Sequence, residues 1–415
     1  MSLAILLLVT AAALAVGFAF GRAVERTEAR AALAMSHTAA AAGATTYDEA
    51  AAPSALDVYA SPSPDPAWVT FSDAPARGTR STDLEAQSPA WRDAMRAVGA
   101  RLDEAGVRGV VFAHGTFAGT DPLSALSAVD ADGRGAARSL TRALRKKTRA
   151  AIDRALGDAG NFTDAYVRLF EASVGAGAAN SALPCTSFVW SSENHHVGRV
   201  EGALGLVRVL ARHAELHGTS PGPRLLAFGH SHAGQLFALV TQLLSGSVSA
   251  EAIMDVARAR GLDVAALRDD LAILESAHLD LVTLGAPTRY AWAATPNVRA
   301  LHVSAARETR RGEVRRADWI QRLGEGRSDF PALDARTRRL NESLGPALEG
   351  TTAQGWGSNV LVDYGARGVA AWLANGLGHA AYTRADAMAF HAALAVDMLY
   401  SRATQRPWNS PPTSV

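Results

Sequence analysis

Arg224-Leu225-Leu226-Ala227-Phe228-Gly229-His230-Ser231-His232-Ala233-Gly234-Gln235-Leu236-Phe237-Ala238-Leu239-Val240 is the stretch whose reading decides the fold. An apolar run of strand character stops at Gly229, an apolar helical pattern resumes after Gly234, and one serine stands in the turn between them. That layout predicts a strand-to-helix turn that projects a serine from the end of a parallel sheet, hydroxyl exposed and backbone strained. Small residues two before and two after the serine let such a turn close without Cβ collisions, and Gly229 and Ala233 fill those places.

The flanking sequence repeats the strand half of this pattern. Val107 to Ala113, Thr186 to Trp190, Leu279 to Leu284, Ala300 to Val303 and Asn359 to Val362 are short apolar runs of the kind buried on both faces of a parallel sheet. Helical stretches separate most of them. Ser88-Pro89 opens a helix to about Ala105, stopped by Gly106; further helices run from about Gly198 to Leu216 and from about Thr383 to Tyr400. Strands alternating with helices predict an α/β domain whose mostly parallel sheet is covered on both faces. Its folded part begins near Ala67-Trp68-Val69-Thr70-Phe71, a candidate edge strand. Three connections, about Asp121 to Pro184, Gln242 to His278 and Ala305 to Gly357, exceed a single crossover helix. They are insertions over the strand ends, serving either as walls of a cleft or as packing at the sheet edges.

The turn at Ser231 resembles the nucleophile turn of the α/β-hydrolase superfamily, with alanine at position 233 where glycine is commoner. Ala113-His114-Gly115-Thr116-Phe117-Ala118-Gly119 resembles the His-Gly-X oxyanion loops of lipases and esterases, about 115 residues before the serine. Leu281-Val282-Thr283-Leu284-Gly285-Ala286-Pro287 is similar to the strand and turn that follow the nucleophile helix in lipase-like members. Together these segments span about Val107 to Met398. The resemblance implies a lipase/esterase-like serine hydrolase that needs no cofactor or metal, and it does not identify a substrate.

A serine hydroxyl is a poor nucleophile at neutral pH, so such an enzyme needs an imidazole to take its proton and an acid to orient the imidazole. The family carries them in the order serine, acid, histidine. His379, in Leu377-Gly378-His379-Ala380-Ala381-Tyr382, stands where the family places its base. The acid is Asp318, which follows the run Ala300 to Val303, the position from which the family usually supplies it; Asp363, at the C-terminal end of the strand before His379, is the alternative, with Asp329 a third candidate. The implied oxyanion donors are the backbone amides of His232, the residue after the nucleophile, and of Thr116, with Phe117 its neighbouring alternative. Amide or thioester cleavage and acyl transfer use the same parts. A reading from another class is a non-catalytic, membrane-tethered scaffold of the same fold.

The chain of 415 residues has a net charge of +1, so nothing global calls for nucleic acid. Its single cysteine, Cys185, excludes an internal disulfide framework and reads as a small core residue. Leu3 to Phe20 is an uncharged run of about 18 residues, close to the minimum for a transmembrane helix. Arg22, Arg26 and Arg30 follow it, which predicts an uncleaved anchor (residues 1–21) with a cytoplasmic body. Residues 22–66 are alanine-rich, then serine- and proline-rich, and read as a tether; residues 67–415 form the catalytic domain. The partners expected are a small-molecule or lipid ester and the membrane.

Other groupings have plainer readings. His213 and His217 lie one helical turn apart, a spacing able to hold a metal, but no third ligand is evident. Glu193-Asn194-His195-His196 follows a strand and is placed to line the cleft. Arg138, Arg142, Arg145, Lys146, Lys147, Arg149 and Arg154, interleaved with Leu140, Leu144 and Ile152, form a basic amphipathic helix. Such a helix can lie on anionic lipid or simply be solvated.

Overall fold

The computed structural model describes residues 67–70, 85–122, 124–127, 136–178, 183–217, 222–308, 314–325, 329–349, 357–364 and 379–400. The predicted anchor and tether, residues 1–66, lie outside the described residues. Among those described, no single helix is long and apolar enough to cross a membrane.

In chain order the elements begin β1 (Ala67–Thr70), α1 (Pro89–Glu104), β2 (Val107–Ala113), α2 (Ala136–Leu156), α3 (Asp164–Gly175), β3 (Cys185–Phe188) and α4 (His196–His217). There follow β4 (Arg224–His230), α5 (Ala233–Leu244), α6 (Val248–Ala259), α7 (Val264–Ser276), β5 (His278–Leu284), β6 (Val298–Glu308) and β7 (Val314–Arg316). The last are α8 (Trp319–Glu325), α9 (Ala335–Glu349), β8 (Ser358–Asp363), a 3-10 turn (Ala380–Thr383) and α10 (Ala385–Tyr400). Each apolar run read as a strand forms one, and Ala67–Thr70 is an edge strand as expected.

The strands lie in the order β1-β8-β6-β5-β4-β2-β3, with β7 added antiparallel to β6 and every other pairing parallel. From β2 the chain leaves outward to β3, then returns to β4 on the other side of β2. The connections after β2 and β4 therefore diverge, and open α/β sheets bind ligands outside the carboxyl ends of such a strand pair. Residues 114–119 and the Ser231 turn emerge there.

Side chains alternate across the sheet with period two. Val111, Leu225, Ala227, Leu279 and Leu281 face one apolar layer, shared with α4, α5, α6, α7 and α9. Val110, Phe112, Leu226, Phe228, Val282 and Leu284 face the other, closed by α1, α3 and α10. Of the helices in the long connections, α3, α6, α7 and α9 thus pack into the two layers. α1 begins as its sequence predicts, with Ser88 Oγ accepting from the Trp91 amide and Pro89 in the first turn. Gly106, at φ +77°, ends it in a conformation glycine adopts without strain.

The second layer depends on one close helix crossing. A Cβ at Gly99 in α1 would fall 1.9 Å from the Val174 carbonyl oxygen in α3, whereas one at Gly175 would meet nothing within 4 Å. Glycine to alanine in a helix ordinarily stabilises by up to about 1 kcal/mol. Gly175→Ala should follow that rule, and Gly99→Ala should reverse it, lowering the urea midpoint by more than about 2 kcal/mol of stability. Equal midpoints for the two variants would contradict the crossing.

Candidate active site

Ser231 follows β4 with φ +54°, the left-handed region that serine occupies at a cost of about 1 kcal/mol. Its amide donates to the Leu284 carbonyl at 2.9 Å, which extends the β4–β5 pairing through the turn. The turn closes tightly: a Cβ at Gly229 would meet the Phe237 ring at 2.7 Å and the Ala233 Cβ at 3.3 Å. Alanine at 233 is thus accommodated, because the close approach falls on Gly229. The sequence suggested an exposed hydroxyl, but Ser231 is buried, at 4% exposure. The loop after β2 covers it, coming so near that a Cβ on Gly115 would lie 2.7 Å from Ser231 Cβ.

His379 and Asp318 meet. His379 Nδ1 donates to Asp318 Oδ2 at 2.7 Å, and both side chains are buried. That bond places the proton of a neutral ring on Nδ1 and leaves Nε2 as the basic nitrogen. Asp318 is itself held. Its Oδ1 accepts from the Gln321 amide at 2.9 Å, and it also bonds the Tyr382 hydroxyl, which accepts from the Ala305 amide at 2.6 Å. Burial first, and then the Asp318 charge, push the Tyr382 phenol well above its ordinary range, so it stays a donor. Gly285, at φ +61°, makes room for this pair: a Cβ there would come 2.4 Å from the Tyr382 ring and 2.9 Å from Asp318 Oδ2.

The other acid candidates are not seen bonded to this pair among the described side chains. Asp363 ends β8 opposite Thr70, and its side chain is outside the described ones. Asp329 is engaged with Arg199, with Arg289 at 2.9 Å and with His196 at 3.7 Å. Ser231 Oγ does not bond His379; its one contact is His232 Nδ1, at 3.5 Å.

The candidate oxyanion loop is fixed by its carbonyls. Gly115 O accepts from Ser192 Oγ at 2.9 Å, and Ala118 O accepts from Arg149 of α2. His114 is a brace: its Nε2 accepts from the Trp190 amide at 3.2 Å and its carbonyl accepts from the Trp190 indole at 2.8 Å. Burial, reinforced by Arg149, holds the His114 pKa down to about 3, so the ring is neutral. None of the described hydrogen bonds is donated by the amides of Thr116, Phe117 or His232. Phe117 has φ +68° and is 41% exposed, close to Phe330.

Several contacts had no signal in the sequence. The two ring nitrogens of His230 face the Gly160 and His379 carbonyls, each at 3.1 Å, tying the His379 backbone to the strand that precedes Ser231. His195 and His196 begin α4 and do not line a cleft freely: His195 Nδ1 accepts from the Gly198 amide at 3.0 Å, and His196 bonds the Tyr290 hydroxyl at 2.8 Å. His213 bonds Thr186 Oγ1 at 2.8 Å, and the described residues contain no group of three metal-ligating side chains. Burial pushes the Cys185 thiol well above its ordinary range, the opposite of an activated thiolate.

The fold is that of an α/β protein with a mostly parallel sheet, in which a buried Asp318–His379 pair and a buried Ser231 lie at the carboxyl ends of the strands. Set against protein-family models, curated proteins and solved structures, the chain finds no match in any of the three.

The buried histidines make stability depend on pH. Burial lowers His114 to about 3, His195 to about 4 and His391 to about 3, and holds His232 well below the ordinary 6.5. Below pH 6.5 the unfolded chain takes up protons that these folded rings refuse, so stability present above 6.5 is lost as the pH falls. At pH 5.5 the three rings held to about 3–4 together cost about 4 kcal/mol, and His232 acts in the same direction. Glu193 works the other way. Burial raises its carboxyl to about 7, so acid relieves its ionisation and returns about 2 kcal/mol between pH 7.5 and 5.5. Urea unfolding should therefore show a net loss of stability over that interval, with His391→Gln reducing the slope. A pH-independent midpoint would refute the linkage.

Proposed function

We propose that the protein is an α/β-hydrolase-type serine hydrolase that cleaves carboxylic esters through an acyl-enzyme. The observation that carries this reading is the Asp318–His379 pair, at 2.7 Å, assembled beside a serine strained at φ +54° at the switch point of the sheet. The strained serine, the buried acid–base pair and the free amides after β2 and β4 are the three groups that acyl transfer requires. In the mechanism His379 Nε2 takes the Ser231 proton as Oγ attacks the carbonyl carbon. The His232 and Thr116 amides hold the resulting oxyanion. Collapse releases the alcohol with the proton from His379, and water then frees the acid by the same route.

One observation favours the scaffold reading instead, namely that Ser231 Oγ contacts His232 and not His379. Catalytic hydrogen bonds are commonly long in ligand-free enzymes and tighten only when substrate binds. A fluorophosphonate probe separates the two readings: it should label the wild type and not Ser231→Ala, and unlabelled, folded wild type would establish a scaffold.

The acid is Asp318. Asp318→Asn should lower kcat on p-nitrophenyl butyrate by about 10⁴-fold through loss of the correct tautomer, while Asp363→Asn stays within about tenfold of wild type. The reverse result would assign the acid to Asp363. The apolar run Leu3 to Phe20 and the arginines after it support a tether with a cytoplasmic body. In sealed, correctly oriented vesicles a C-terminal tag should then resist external protease, and its digestion would reverse the orientation.

A further inference from the structure

α2 runs for 21 residues, yet none of its described side chains joins either apolar layer of the sheet. Polar contacts on one face hold it to the domain. Arg145 donates to Ser127 Oγ at 3.1 Å, Arg149 donates to the Ala118 carbonyl and to Asn161 Oδ1 at 3.0 Å, and Thr141 is buried. At 3.6 residues per turn the opposite face carries Arg142, Lys146, Lys147 and Arg154, all exposed, together with Leu140, which is 61% exposed. Leu156, 41% exposed, closes the helix. No carboxylate of the helix shares that face: its one acid, Asp153, turns to Arg149 at 3.1 Å and to Asn161 at 2.8 Å. Among the described residues none of the four outer cations is in an ion pair.

Arg142 and Lys146 lie four residues apart, a like-charged spacing that weakens a helix, so the face is best satisfied against an external anionic surface. The exposed leucines decide which surface. Lipid phosphates and carboxylates match the four cations, while Leu140 and Leu156 enter the boundary between headgroups and acyl chains. A nucleic acid would match the charge and leave the leucines in water. We propose that the outer face of α2 docks along an anionic lipid surface, a membrane contact separate from the apolar run Leu3 to Phe20. Because the inner face of the same helix holds the Ala118 carbonyl, the loop that covers Ser231 then lies roughly one helix diameter from the lipid.

The test uses the full chain with Cys185→Ala and an environment-sensitive fluorophore on Ser139→Cys, an exposed position of the same face. It is reconstituted with vesicles of phosphatidylcholine alone or with about 30% phosphatidylserine, each doped with a nitroxide lipid that quenches the dye on contact. Quenching should be at least about threefold greater with phosphatidylserine, and about 0.5 M salt should remove most of the difference. Each cation is worth roughly fivefold in docking, so Lys146→Gln with Lys147→Gln should bring quenching to the phosphatidylcholine level, and Lys146→Arg with Lys147→Arg should retain it. Arg212→Gln with Arg268→Gln removes the same charge from exposed positions on α4 and α7 and should change nothing. Thermal midpoints of all three variants should match the wild type. Equal quenching in the two vesicles, or equal loss in the Arg212 and Arg268 control, would overturn the proposal. Equal quenching together with retention of the wild type by duplex DNA would assign the face to nucleic acid. Wild type left in the supernatant by phosphatidylcholine vesicles would remove the anchor reading alone, since the phosphatidylserine-dependent quenching is then read on simple mixing and still decides the docking face.

Discussion

The candidate site depends on one close approach, the backbone of Gly115 against the side chain of Ser231. The 2.7 Å that would separate a Gly115 Cβ from Ser231 Cβ leaves no room for any residue but glycine, and it brings the amides after β2 beside the turn after β4. Sheet topology makes the approach possible. Because β2 lies between β3 and β4, its exit loop and the β4 turn leave the same edge in diverging directions. His114 then fixes the angle of the loop by gripping Trp190 at the end of β3. A histidine preceding this glycine thus acts as a neutral brace, held so by burial, and takes no part in proton transfer.

The acid–base half of the site is built from the other side of the same edge. Asp318 comes from the start of α8, His379 from just before the 3-10 turn, and Tyr382 from within that turn, and all three meet over Gly285 at the end of β5. Each group satisfies another: the Ala305 amide polarises Tyr382, Tyr382 and the Gln321 amide hold Asp318, and Asp318 orients His379. In a low-dielectric interior such a network is stable only when its members are satisfied. It therefore sets the His379 ring plane before any ligand arrives.

The strands were legible in the sequence because each is covered on both faces, so that Val107–Ala113 or Leu279–Leu284 reads as a continuous apolar run between turn residues. β7 was not legible: Val314-Arg315-Arg316 is three residues long, carries two arginines and pairs only with the end of β6. Ser231 and His379 stood out through local patterns, a strand-turn-helix transition and a late loop histidine. The preference for Asp318 over Asp363 rests on the family's usual strand position, with no local pattern to support it. What selects Asp318 is its meeting with His379, Tyr382 and Gly285, brought together from segments up to about a hundred residues apart, and only the folded chain contains that information. The burial of Ser231 was missed for the same reason, because its cover comes from a loop more than a hundred residues earlier.

Backbone strain follows the same geography. Among the described residues five non-glycine positions have positive φ: Gln87, Phe117, Ser124, Ser192 and Ser231. Gln87 precedes α1, and the other four lie on the connections after β2, β3 and β4, around one edge of the sheet. Each costs on the order of 1 kcal/mol, and a bulky residue such as Phe117 more. Strain scattered at random would not gather on three adjacent strand ends, nor would it coincide with the unbonded amides and the unsatisfied Thr116 hydroxyl. The buried core offsets these costs, and their concentration at one end of the sheet is what marks it as a candidate site. Relaxing Ser231 to a right-handed conformation would relieve that strain while moving the serine from its close contact with Gly115. Stability and the proposed chemistry therefore pull in opposite directions at this turn.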